Sequence, residues 1–564
     1  MQPVEGGPAD TLFVRGRVFF PGDTVSRRGA LAVRAGRIMA VGPDDLLADL
    51  RGPATDVVDV AGGLLLPGFQ DAHVHPIHGG LSMLLCDLYG SVDPDWYVAR
   101  VAEYARENPD LPWVTGGGWS MEAFPGGTPR RELLDAVVPD RPVFLPNRDG
   151  HGAWVNSRAL LLAGIDASTP DPVDGRIERD ADGTPTGTLH EGAATLVARL
   201  LPPPKPHDLE AGLLAGQRYL FSLKVTGWQD AIVGSHLGGG PDTTETYLSM
   251  ARSGALKARV VGALWWDRER GAEQLPELVE RRADGAAGRF RATSVKIMQD
   301  GVAENFTAAM TQPYLDHDGR PTRNAGLSFV DPDALREYVV LLDRAGFQVH
   351  FHALGDRAVR EALDALAAAA AVNGLGDHRH HLAHLQVVHP DDVGRFAALA
   401  AGANLQPLWA CHEPQMDELT IPFLGGDLAE HQYPFGDLHR SGAHLAMGSD
   451  WSVSSPDPLW GIHVAVNRVA PPELRDADAE EPPPLLPHQT LDLATALTAY
   501  TAGTAYLNHL DGEAGSLRPG AYADLAVLDR DPFEVHPSQI SGCRVARTYV
   551  QGELVHHAAA DQGP

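Results

Sequence analysis

A chain of 564 residues exceeds one ordinary domain and has room for about three. Its 44% hydrophobic and 21% charged content belongs to a globular protein with a substantial core. The net charge of -29 excludes a nucleic-acid binder, because a phosphate backbone needs a basic surface to displace its counterions.

Cys86, Cys411 and Cys543 are odd in number and far apart, so neither a disulfide framework nor a cysteine zinc site is readable. Met1–Asp10 lacks a basic segment and an apolar stretch, and no run reaches the ~18 apolar residues of a membrane span. These features predict a soluble, cytoplasmic protein with a small-molecule partner and no nucleic-acid or membrane partner; a homodimer stays open. Lys205, Lys224, Lys257 and Lys296 are the only lysines, which singles each of them out.

Residues 11–60 alternate apolar and polar positions between Gly and Pro punctuation (TLFVRGRVFF, GALAVRAGRIMAVG, TDVVDVAG), the pattern of half-exposed strands. A similar β stretch returns in ADLAVLDRD (523–531) and RVARTYVQGELVHH (544–557). Two β segments bracketing the chain predict one small β-sandwich built from both termini, 1–61 and 512–564. Between them apolar strands begin near 64, 224, 258, 292, 348, 380, 403 and 444, with helical stretches such as 333–346 and 357–372 between many of them. Alternating strand and helix implies a parallel sheet, and eight units imply an α/β fold of the (β/α)₈ TIM-barrel type over 62–87 and 216–511. The rival is an open doubly wound sheet, but no GxGxxG opens a helix after the first strand. A turn-rich insertion, 88–215, follows the first barrel strand and is placed to shape a substrate pocket.

His73-Val74-His75 ends that first strand, and alternation along a strand turns both imidazoles the same way. Residues at the C-terminal ends of barrel strands read as catalytic. Lys296 lies in the apolar SVKIMQDG strand, where an ammonium must be paired or modified. It either pairs with a carboxylate such as Asp300 or reacts with CO₂ to form a carbamate that bridges two metals. His350 and His352 repeat the HxH pattern on the fifth strand, His381 and His384 fall on the sixth, and Asp450 closes the series in MGSDW. One such residue alone suits a structural role; the set at the ends of strands one, four, five, six and eight points to a metal centre.

With LPGFQDAHVHP (66–76), GGGW, HGAWVNSRAL, VKIMQDG, HALGDRAV, AHLQVVHPDD, MGSDW and GSLRPGAYADLAVLD (515–529), nearly the whole chain resembles the amidohydrolase superfamily. Within it the chain is most similar to the branch of YtcJ-like proteins and N-substituted formamide deformylases. That resemblance implies a distorted barrel with a small β-sandwich and a one- or two-metal centre. It makes His73 and His75 the first-strand ligands, Lys296 the bridging carboxylated lysine, His352 and His384 the second-metal ligands, and Asp450 both ligand and general base. His350 and His381 fall off the matched positions and read as supporting residues. The chain departs from the family pattern at Ala383, where relatives usually carry Glu, and at Ser452, where Pro is frequent.

Imidazole and carboxylate-type donors without thiolate suit Zn²⁺ best, with Mn²⁺ or Fe²⁺ able to substitute. The expected activity is hydrolysis of a non-peptide C–N bond in a small amide by metal-activated water, with Asp450 as base and then acid. A cyclic-amide hydrolase or deaminase on the same metal site is the alternative, and an inactive scaffold is a third reading. Trp119, His151, Asn156 and Glu191 of the insertion are candidate substrate contacts. Trp119 equally suits packing, and Asn156 ahead of SRALLLAG equally suits a helix N-cap.

Overall fold

The computed structural model describes residues 7–234, 241–475 and 481–558. Eight parallel strands succeed one another around a barrel: β1 (Phe69–Val74), β2 (Val225–Val233), β3 (Arg259–Trp265), β4 (Phe290–Met298), β5 (Gln348–Ala353), β6 (His381–His384), β7 (Gly402–Leu405) and β8 (His444–Met447). They are buried almost throughout, as parallel strands covered by helices are. Val349, Phe351 and Ala353 face one side of β5 and join the main apolar core, while Gln348, His350 and His352 alternate with them toward the barrel axis. Helices α1 (Pro332–Arg344) and α2 (Asp356–Asn373) flank β5, and Asp331 caps the first by accepting from Asp333 N and Ala334 N.

Sheet pairing runs unbroken from β1 to β8, and the last seam closes by other means. Asp450 N donates to His73 O at 2.8 Å, and His75 N donates to Trp451 O at 2.7 Å. Asp71 clamps the two segments: its carboxylate accepts from His73 N (3.0 Å), Ser449 N (3.1 Å) and Ser449 Oγ (2.6 Å). Gly448 is required here, because a β-carbon would lie 2.6 Å from His73 N. The chain therefore ties Asp450 to the first-strand histidines through the backbone.

Both chain ends meet in one eight-stranded sheet, where Leu525–Leu528 pairs antiparallel with Leu64–Pro67. The segment between β1 and β2 is not merely turns. It holds a six-stranded sheet, Cys86–Asp87, Val114–Gly117, Val143–Pro146, Gly152–Val155, Pro185–Glu191 and Gly175–Arg179, with two apolar clusters of its own. Among the described residues no helix is long and apolar enough to cross a membrane.

Candidate metal centre at the barrel mouth

The C-terminal ends of five barrel strands deliver six side chains to one place. Single donor atoms of His73, His384 and Asp450 all lie within 4.8 Å of one another. Asp450 Oδ1 is 3.3 Å from His73 Nε2 and 3.0 Å from His75 Nε2, and its other oxygen is 3.8 Å from His384 Nδ1. The His352 and His384 rings stand 4.5 Å apart, centre to centre. Lys296 Nζ sits 3.4 Å from His73 Nε2. His384 reaches the group because the chain enters the left-handed region at its end, with φ 79° at His384 and 50° at Leu385; Asp450 has φ 55°. Such backbone is costly outside glycine and clusters at functional sites.

Burial dominates the electrostatics. It pushes His73 down to about 3, with Lys296 adding to the effect, so the ring is neutral and able to donate a lone pair. His352 and His384 are held well below the ordinary histidine range, again chiefly by burial. Burial alone would raise Asp450, yet His73 and His75 hold it well below the usual carboxylate range, so it is an anion. Burial brings Lys296 down to about 7 against the opposing pull of Asp450 and Asp230.

These residues fit a divalent metal. Asp450 Oδ1, His75 Nδ1, His352 Nδ1 and both ring nitrogens of His384 are buried polar atoms without a well-directed hydrogen-bond partner. Buried polar groups are nearly always satisfied, and the orphaned atoms of His384 and Asp450 belong to the group whose donors converge with His73, which leaves room there for a ligand that binds lone pairs. All are nitrogen or oxygen donors of the kind zinc and related ions take.

Asp300 does not pair with Lys296. Its carboxylate accepts from Ala309 N (2.9 Å), Leu354 N (3.1 Å) and Gly355 N (2.9 Å) and lies 3.4 Å from His352 Nδ1, so it braces the loops beyond β4 and β5. The other buried lysine, Lys224, does have an acidic partner, Asp457, at 3.7 Å.

The insertion brings two of its four candidates to the mouth. His151 stands 5.4 Å from His352, ring to ring, and its Nδ1 meets Glu191 Oε2 at 2.9 Å. Glu191 also accepts from Thr307 Oγ1 at 2.7 Å and holds φ 50°, ψ −128° to do so. Burial alone would lower His151, but Glu191 more than offsets it and carries the ring up to about 9, which makes it an imidazolium at neutral pH. Trp119 is instead sealed in an apolar cluster at 1% exposure, its indole N–H on Leu145 O at 2.8 Å. Asn156 is a helix N-cap: Oδ1 accepts from Ala159 N and Val143 N, and Nδ2 donates to Val138 O and Arg141 O. Neither keeps a free group for a substrate. Trp409, absent from the sequence-based candidates, stacks on His384 at 5.5 Å and 17°.

A family profile described as "Amidohydrolase family" matches residues 56–556. The chain belongs to the amidohydrolase family. This amidohydrolase is 30% identical to Protein LONG AFTER FAR-RED 3 of Arabidopsis thaliana, across 99% of this chain and 93% of that one. It is 27% identical to N-substituted formamide deformylase of Arthrobacter pascens, across 93% of this chain and 94% of that one. Its fold is shared with an uncharacterized metal-dependent hydrolase from Pyrococcus furiosus, with TM-score 0.68 and 24% identity over 93% of this chain and all of that one. Family, barrel and donor cluster together make it a metal-dependent hydrolase of the amidohydrolase superfamily.

Proposed function

We propose that this amidohydrolase cleaves a non-peptide C–N bond, the N-acyl or N-formyl amide of a small, partly apolar amine. The convergence of donor atoms of His73, His384 and Asp450, with orphaned atoms on His384 and Asp450 and His75 Nε2 3.0 Å from Asp450, carries this reading. Similarity along nearly the full length to an N-substituted formamide deformylase favours the formyl or acyl amide over a lactam or an aminated ring. His73, His75, His352, His384 and Asp450 would hold the metal, with Lys296 as a carbamate linking two ions; zinc suits this donor set. The metal, when bound, supplies Lewis acidity that lowers the pKa of water to about 7.

The chain's own residues supply the proton traffic and the grip. Asp450, ionised, takes the proton of the attacking water on a carboxylate oxygen and returns it to the departing amine nitrogen. His151, held by Glu191 on Nδ1, turns its other N–H to the substrate's acyl portion, and Trp409 offers an aromatic wall beside His384. Metal-loaded protein assayed against formamides, N-acyl amines and lactams, with release of free amine as the readout, is expected to favour the first two. Elemental analysis should find one to two equivalents of divalent metal. Lactam-only turnover would reverse the substrate reading, and a protein that takes up no metal would remove its basis.

Glu191→Gln tests the grip. Losing one charge-assisted hydrogen bond should lower kcat/KM by about 10- to 100-fold. His151 should also lose its proton at lower pH, so the alkaline limb of the pH–kcat/KM profile moves down from near 9 toward the ordinary histidine value. An unchanged profile would place His151 outside the reaction.

A further inference from the structure

The interior of a (β/α)₈ barrel is ordinarily filled with layers of branched apolar side chains. Here a polar column rises along the axis instead, from Gln348, Ser294 and Asn508 through Gln229 to His350 and His381, and from His350 to His73. Every one of these residues is buried. The column is not part of the donor cluster, yet it touches one of its members.

Its proton positions follow from its ends. Gln348 Nε2 donates to two backbone carbonyls, Arg379 O (2.8 Å) and Leu507 O (2.7 Å). Carbonyls only accept, so the atom that Gln348 turns to Gln229 is its oxygen. Gln229 must answer with its nitrogen, which meets Gln348 Oε1 at 2.9 Å and Asn508 Oδ1 at 3.1 Å. That leaves Gln229 Oε1, an acceptor, facing His350 Nδ1 at 2.6 Å and His381 Nε2 at 3.0 Å. Both of those nitrogens therefore carry hydrogen.

The remaining nitrogens of the two rings are engaged by neutral groups, and a second proton on either would leave a buried cation without a counter-charge. His381 Nδ1 is thus bare and accepts from Asn404 Nδ2 at 3.2 Å, whose own orientation is set by Ala72 O at 2.9 Å. His350 Nε2 is bare as well, and the group that fills it among the described residues is an N–H on His73 Nδ1, at 2.8 Å. His73 then has its proton on the inner nitrogen and a lone pair on Nε2, the atom that faces Asp450 and Lys296.

We propose that Gln229 is a positioning residue of the metal centre: through His350 it locks His73 in the Nδ1–H tautomer that presents Nε2 to the metal. Partners that fix a ligating histidine's tautomer commonly tune affinity as much as the ligands do. The inference rests on the metal reading given above, and goes beyond it by assigning a role to a residue that touches neither metal nor substrate.

The test compares Gln229→Met, which keeps the length but has no amide, with Gln229→Glu. Buried and protonated, Glu can still accept from both imidazoles on one oxygen and donate to Gln348 with the other. Zn²⁺ affinity is read by competition with a chromophoric chelator, the Co²⁺ absorption spectrum reports the coordination geometry, and melting of the metal-free proteins controls for the fold. Gln229→Met should bind about 10- to 100-fold more weakly with an altered Co²⁺ spectrum, and Gln229→Glu should restore both. If Gln229→Met does not fold, His350→Phe against His350→Gln makes the same comparison one step nearer the metal. Wild-type affinity and spectrum in the Met variant, or equal losses in Met and Glu variants, would overturn the tautomer relay. A wild-type protein that binds no metal would instead overturn the metal reading itself.

Discussion

Asp450→Asn is expected to lower kcat by at least about 10²–10⁴-fold, the usual worth of a positioned acid–base group, while the protein stays folded and keeps metal. The substitution preserves shape and volume but takes away the negative charge that His73 and His75 hold ionised at 3.3 and 3.0 Å. An amide oxygen cannot collect a proton from water at neutral pH, and an amide nitrogen cannot return one to an amine leaving group. Its backbone N–H still reaches His73 O, so the seam between β8 and β1 stays closed. His73, His75, His352 and His384 remain as nitrogen donors, so metal content falls only in part. Steady-state kinetics at saturating substrate, with metal analysis on the same sample, separates the two effects. Retention of more than a tenth of wild-type kcat would remove Asp450 from the proton path.

The barrel was legible because parallel strands buried on both faces read as continuous apolar runs, and because HxH at a strand end turns two imidazoles one way. The insertion's sheet was not. Its strands are two to seven residues long, and one ends in the first two glycines of GGGW, a segment that looks like a turn. Gly116 has to be glycine in its strand because a β-carbon would lie 2.0 Å from Cys86 O, a constraint set by a neighbour thirty positions away and invisible locally. Asn156 and Trp119 present the same difficulty. The features that suit a substrate contact also suit a cap or a packed indole, and only tertiary placement decides.

Gln229 escaped for a related reason. Its five hydrogen-bond partners come from Ser294, Gln348, His350, His381 and Asn508, between 65 and 279 residues distant, so no window of sequence contains it. The available signal was a glutamine on an apolar barrel strand, TGWQDA, at a position whose side chain must face the axis or the helices. The departure at Ala383 is now concrete as well. It is a fully buried alanine on β6, beside Asn404 of β7 in the sheet register, so this chain places no carboxylate there.

Lys296→Ala should lose a metal equivalent and most of the activity, and a short carboxylate with bicarbonate should restore part of both. The reasoning starts from the side chain's surroundings: Lys296 is 3% exposed, 3.4 Å from a histidine nitrogen, and not ion-paired with Asp300. An ammonium at that point would sit beside metal cations, which is electrostatically untenable. Burial has already brought the group down to about 7, so a large fraction is free amine near neutrality. A free amine adds its lone pair to the carbon of CO₂, forms a C–N bond and releases one proton, giving an anionic carbamate. That anion replaces a misplaced positive charge with a negative one and offers two oxygens, enough to link two metals. Acetate or propionate diffusing into the space left by alanine supplies the same two oxygens without the covalent bond, so rescue by carboxylate distinguishes a carbamate from a lysine that merely packs. Intact-protein mass spectra or ¹³CO₂ labelling of metal-loaded wild type should show the added carboxyl, absent from Lys296→Ala. An unmodified amine in fully metal-loaded, active enzyme would discard the bridge and leave a one-metal reaction resting on His73, His75 and Asp450.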